Sequence, residues 1–146
     1  VSDTGPLLHL HEAACLALLE YAGTVAVPKA VDSEMIQHVQ EWPTRKPRWI
    51  TVTAVTAPYA VQATDWQQSG LLAAGEAEAI ALALQLSAMW LLTDDTAARV
   101  FATTLGDFSK RTSLITMLKP GGSGCRTWAT AGDAPIAFRL RASPAY

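Results

Sequence analysis

The chain has 146 residues, half of them apolar, with a formal charge of −2 and a pI of about 5.9. That size argues for one domain with its own hydrophobic core, and the aliphatic content excludes a disordered chain. The weakly acidic balance is not the basic footprint common among nucleic-acid binders, although clustered carboxylates would lower the net charge and a bound divalent cation would offset them.

Val1-Ser2 reads as the tail of a strand. Thr4-Gly5-Pro6 reads as a helix start, with Thr4 or Gly5 as cap and Pro6 in the first turn, where its missing N–H costs nothing. Helix is predicted to continue over Leu7–Tyr21 and to end at Gly23. Thr24–Val27 is a short β-branched strand stopped by Pro28. Lys29–Glu41 returns to helix, with Val31, Met35 and Val39 at helical spacing. Pro43 and Pro47 break the chain, and Trp49–Val55 is a candidate strand. Pro58–Trp66 is predicted as a short helix closed by the Ser69-Gly70 turn. Gly75–Ser87, nearly all Ala, Leu, Glu and Ile, is the strongest helix. Met89–Thr93 suits a buried strand, and Thr96–Leu105 a helix closed by Gly106. Alternating strands and helices predict an α/β fold with a mostly parallel sheet. Residues 1–119 are read as the domain. The segment 120–146, opened by Pro120-Gly121-Gly122, is read as either a loose tail or an atypical last strand.

Cys15 and Cys125 lie far apart without zinc-site spacing, and Cys15 reads as a small buried hydrophobe. The longest apolar stretch, Ala79–Leu92, is interrupted by Gln85 and Ser87 and is shorter than the ~20 residues of a membrane span. The opening residues carry no basic n-region, so the cytoplasm is the expected compartment.

The chemistry lies in the carboxylates. In an open parallel sheet, ligands bind outside the carboxyl ends of the strands. Asp3 directly follows the first strand, and Asp94 and Asp95 follow the strand ending at Thr93. Helices run antiparallel to the strands they pack on, so Glu34 and Glu76, in the early turns of their helices, belong to the same edge. Glu76 and Glu78 are separated by about 200° around a helix, so only one can face the site. Glu76 continues the stripe of Ile80, Ala83 and Leu84, predicted to pack on the sheet, and is chosen. Singly, each acid reads as a turn, cap or solvated charge. Jointly they form an oxygen-only donor set suited to Mg²⁺ or Mn²⁺, and a cation so placed can activate water and orient a phosphate. A phosphatase or phospho-acceptor role with Asp3 or Asp94 as nucleophile ranks lower, because such sites usually carry a Lys after a late strand or a second Asp two residues on; no such Lys stands out, and position 5 is Gly.

Four segments resemble the motifs of the PIN domain superfamily: Ser2-Asp3-Thr4-Gly5-Pro6-Leu7-Leu8, Val27-Pro28 through Glu34-Met35, Gly75-Glu76-Ala77-Glu78-Ala79, and Leu91-Leu92-Thr93-Asp94-Asp95. They occur in order over about residues 1–106. The nearest branch is the prokaryotic one related to VapC-like toxin ribonucleases. The resemblance implies a three-layer α/β/α fold and Mg²⁺- or Mn²⁺-dependent RNA cleavage by Asp3, Glu34, Glu76 and one of Asp94 or Asp95. It places supporting hydroxyls at Thr4 and Thr93. It further implies frequent homodimers and inhibition by a small antitoxin protein. A non-catalytic PIN module that binds RNA or a protein is the alternative. Beyond Gly106 the family pattern fades: Arg111–Lys119 is only faintly similar to the usual strand, and the remainder fits either a subfamily extension or a frame-shifted end.

Other residues are read more plainly. His9 and His11 lie two apart on a predicted helix, so their rings diverge, and both read as surface or partly buried. His38 could contact Glu34. Trp90 reads as core, whereas Trp42, Trp49 and Trp66 stay open. Arg45, Lys46 and Arg48, and Lys110 with Arg111, read as solvated loop charge or as phosphate contacts; Arg99 reads as a phosphate contact or an acid's partner.

Overall fold

Short β-branched runs separated by Ala- and Leu-rich segments become alternating strands and helices in the computed structural model, which describes residues 1–105, 113–117 and 128–130. Strand β1 (Val25–Val27) pairs in parallel with β2 (Ile50–Val52), Val25 opposite Ile50. Strand β3 (Trp90–Leu92) pairs in parallel with β4 (Ser113–Met117), and β4 pairs antiparallel with β5 (Trp128–Thr130). The opening residues join the two groups. Ser2 donates its N–H to Ala26 of β1 at 3.1 Å, and Asp3 donates to Leu92 of β3 at 2.9 Å. Ser2 also forms a parallel bridge to Leu92. The strand order is thus β2, β1, residues 1–3, β3, β4, β5, mostly parallel as the alternation predicts.

Helices cover both faces. Adjacent residues of a strand point to opposite sides. Leu91 accordingly enters one core, with Ala63, Ile80 and Ala98, while Leu92 enters the other, with Leu7, Val27 and Met35. The first core lies under α4 (Tyr59–Gln68), α5 (Ala74–Gln85) and α6 (Thr96–Thr104); the second lies under α1 (Thr4–Glu12) and α2 (Lys29–His38). A sheet between two cores is the α/β/α layering of the expected fold.

Several boundaries depart from expectation. The first helix is capped by Asp3, whose Oδ1 accepts the Thr4 N–H at 2.7 Å, not by Thr4 or Gly5. It ends at Glu12 instead of continuing to Tyr21. Ala14 takes a left-handed conformation (φ 53°), and the chain resumes as a 3₁₀ helix over Leu16–Ala22 before Gly23 closes it. The cause is local closure. Cys15 N–H donates to Leu10 and Ala14 N–H to His11, the paired bonds of a Schellman motif. Pro43 does not break the chain but sits in the first turn of the one-turn helix α3 (Trp42–Arg45). Trp90, expected in the core, is only partly buried at the start of β3, and Met89 before it is exposed. Among the tryptophans whose burial is described, Trp42 is instead the fully buried one, its indole N–H donating to Asp32 at 2.8 Å. Cys15 is partly buried.

Lys110, Arg111 and Cys125 lie outside the described residues, as do 118–127, where the expected domain limit falls, and 131–146. Among the described residues no helix is long and apolar enough to cross a membrane.

Candidate active site

Because the strands are mostly parallel, their carboxyl ends share one edge, and the chain leaves that edge through acids. Asp3 is 5% exposed, held between the N-terminus of α1 and the end of β3. Its Oδ2 accepts the Thr93 hydroxyl at 3.3 Å, and the same hydroxyl oxygen accepts the Asp95 N–H. Burial pushes the Asp3 carboxyl up to about 7. The Thr4 N–H opposes this, the charges of Glu76 and Asp94 add to it, and the Thr93 hydroxyl opposes it further.

Glu76 is half-buried in the first turn of α5, where its Oε2 accepts the Ala73 N–H at 2.9 Å. Burial raises its carboxyl too, against that N–H bond, and Asp95, Glu34 and Asp94 add like-charge repulsion. The mutual electrostatics therefore tie together Asp3, Glu34, Glu76, Asp94 and Asp95, all five of the acids the sequence singles out.

Two glycines make room for this crowding. A Cβ at Gly75 would lie 2.7 Å from Glu34 Oε2, and a Cβ at Gly5 would fall on the Asp94 carboxylate. Glu34 Oε2 also accepts the Thr4 hydroxyl, so Thr4 and Thr93 each support an acid. Asp95 serves a different partner. It is the N-cap of α6, its Oδ1 accepting the Ala98 N–H at 2.7 Å.

The choice between Glu76 and Glu78 has a different geometric basis from the one expected. Helix α5 is buried on most sides, Leu82 as fully as Ile80 and Ala83, because α2 and α4 pack on it as well. No polar stripe distinguishes the two acids. Their partners do: Glu78 Oε2 accepts the Ala30 N–H at 3.0 Å, at the start of α2, while Glu76 faces the other acids.

His9 is the neighbour that sequence reasoning passed over. Its Nε2 lies 3.1 Å from Asp94 Oδ2. No local signal marked it, because the pairing with His11, which is exposed, is uninformative. His38 is exposed at the end of α2. The basic cluster is partly committed elsewhere: Arg45 pairs with Glu41 at 2.5 Å and Lys46 with Asp32 at 2.8 Å. Arg99 donates to the Thr96 hydroxyl at 3.2 Å.

The acids share an edge but are each turned to a local donor. Among the described residues, no three His, Cys, Asp or Glu side chains converge closely enough to hold one metal ion as they are oriented.

The family model DUF3368, described as a PIN domain, matches residues 1–112. The chain belongs to this PIN domain family. The PIN fold is a nuclease-type fold, and the matched span contains all five acids. No curated protein and no solved structure matches the chain.

Proposed function

We propose that this PIN domain is a Mg²⁺- or Mn²⁺-dependent endoribonuclease of the toxin–antitoxin kind. The observation that carries the reading is the gathering of acids from four segments at one edge, where Glu76 and Asp94 act on the buried Asp3, and Asp95, Glu34 and Asp94 act on Glu76. Carboxylates crowded in this way repel one another, and they take up either protons or a cation.

The donor set fits a hard divalent cation. Its atoms are all oxygens, and Gly5 and Gly75 leave space for two of the carboxylates. Asp3, Glu34, Glu76 and Asp94 would hold the ion by turning toward one another from their present donors, with Asp95 engaged as the cap of α6. When bound, such a cation makes water a better nucleophile and offsets charge on a phosphodiester. The protein's own groups orient the site. The Thr93 hydroxyl fixes Asp3, the Thr4 hydroxyl fixes Glu34, and Asp3 can hold a proton near neutral pH until a cation replaces it. RNA would be cut by hydrolysis with a 3′-hydroxyl leaving. Homodimerisation, a small antitoxin partner and a cytoplasmic setting belong to the same proposal.

Incubation of mixed RNA with purified protein and Mn²⁺, beside Asp3→Asn, tests it. Wild type should cleave and Asp3→Asn should be slowed at least 100-fold (roughly the scale for losing a key site group). Equal cleavage by both refutes the assignment. A small upstream reading frame encoding a DNA-binding protein would support the toxin role.

A second reading, a non-catalytic module binding RNA or protein, is favoured by one observation: each acid is turned to a local donor and no three converge among the described residues. Calorimetric titration separates the two, since absence of Mn²⁺ binding at millimolar metal supports the module.

A further inference from the structure

Gly5 and His9 lie four residues apart on α1, on one face of the helix, and both meet Asp94. Gly5 lacks the positive φ that Gly23 and Gly70 adopt, so backbone conformation does not call for glycine there, and alanine is the better helix former. Space does call for it, because the Asp94 carboxylate occupies the place a Cβ would take. His9 then fixes that carboxylate from one turn further along, Nε2 to Oδ2 at 3.1 Å. With a proton on Nε2, the ring donates to this carboxylate. On the other side of the imidazole, Nδ1 lies 3.6 Å from Glu12 Oε2. The same combination occurs across the site, where Glu34 rests against Gly75 and takes the Thr4 hydroxyl. Asp94 and Glu34 are thus each placed by a glycine that admits the carboxylate and a donor that holds it.

We propose that Gly5 and His9 are positioning residues that seat Asp94 and thereby set the affinity of the site for a divalent cation. The proposal rests on the metal-binding reading above. Neither residue touches the substrate or the ion; each acts through the orientation of one side chain. Filling Gly5 or removing the His9 donor swings the Asp94 carboxylate away at little cost to the fold, because only the far end of a flexible side chain must move. Loss of such outer partners typically weakens metal binding about 10- to 100-fold.

The test titrates Mn²⁺ calorimetrically into wild type, His9→Leu, His9→Gln and Gly5→Ala, and into His9→Leu and Gly5→Ala each combined with Asp94→Ala. His9→Leu and Gly5→Ala should bind about 10-fold more weakly. His9→Gln, which keeps an N–H donor, should recover most of that loss. In the Asp94→Ala background neither change should weaken binding further. Metal-free melting supplies an independent readout, and Gly5→Ala carries the test if His9→Leu does not fold. With Asp94 present, Gly5→Ala should not raise the melting temperature; with Asp94→Ala it should, since only the helix preference for alanine remains. Mn²⁺ affinity unchanged in the single variants, or reduced equally with and without Asp94, overturns the seat while leaving the metal reading intact. A wild type that takes up no Mn²⁺ overturns both.

Discussion

Asp3 couples the backbone of the fold to the chemistry of its edge. It caps α1, bonds into the sheet through its N–H, and carries a buried carboxyl pushed up to about 7. In the unfolded chain that group ionises near 3.8. Between those values the folded state binds more protons than the unfolded state, so stability falls as pH rises. This contribution is complete below about pH 4, declines through pH 7, and is absent above it. A shift of this size corresponds to about 4 kcal/mol. Metal-free protein should therefore melt at a higher temperature at pH 5 than at pH 8, and Asp3→Asn should flatten the difference. A flat wild-type profile would contradict the burial argument. Glu76, raised in the same direction, adds to the trend. The acids themselves were legible in the sequence because each follows a strand end or opens a helix. Their partners were not. Nothing in a His-x-His pair on a helix says that one ring meets a carboxylate from a segment 85 residues away.

Among the described residues, three helices close with the same pair of bonds. Besides α1, the end of α4 has Leu71 donating to Trp66 and Gly70 to Gln67, and the end of α5 has Ala88 donating to Ala83 and Ser87 to Leu84. The residue that must enter the left-handed region is Gly70 in α4 (φ 70°), but Ala14 in α1 (φ 53°) and Ser87 in α5 (φ 47°). A side chain in that region costs about 1–2 kcal/mol relative to glycine. Ala14→Gly and Ser87→Gly, both at exposed positions, should each stabilise the protein by about 1 kcal/mol, additively because the sites are independent. Urea unfolding should show a raised midpoint with an unchanged slope. This pattern also explains why one helix limit could be read and another could not. Ser69-Gly70 announces a stop, whereas Ala14 sits in a Leu- and Ala-rich run that local preference alone extends to Tyr21.

At the scale of the molecule, the acids share one edge because residues 1–3 lie between β1 and β3, parallel to β3, while β1 runs parallel to β2 and β3 to β4. A cation bound there would stabilise the folded state by mass action. Protons compete for the same carboxylates. Millimolar Mn²⁺ should accordingly raise the melting temperature more at pH 8 than at pH 5, and Glu76→Gln should reduce the gain; an equal gain at both pH values would count against binding by these acids. The sequence by itself determined the alternation of strands and helices, the acids at strand ends and helix starts, and the motifs of a PIN domain, because periodicity, turn residues and short spacings are local properties. Only the tertiary structure decided which distant partners the acids take. Glu78 turns to the N-terminus of α2, Glu34 takes the Thr4 hydroxyl, and Asp94 rests on Gly5 beside His9. Those pairings depend on how helices from distant stretches dock across the sheet edge, and no spacing along the chain encodes that distance.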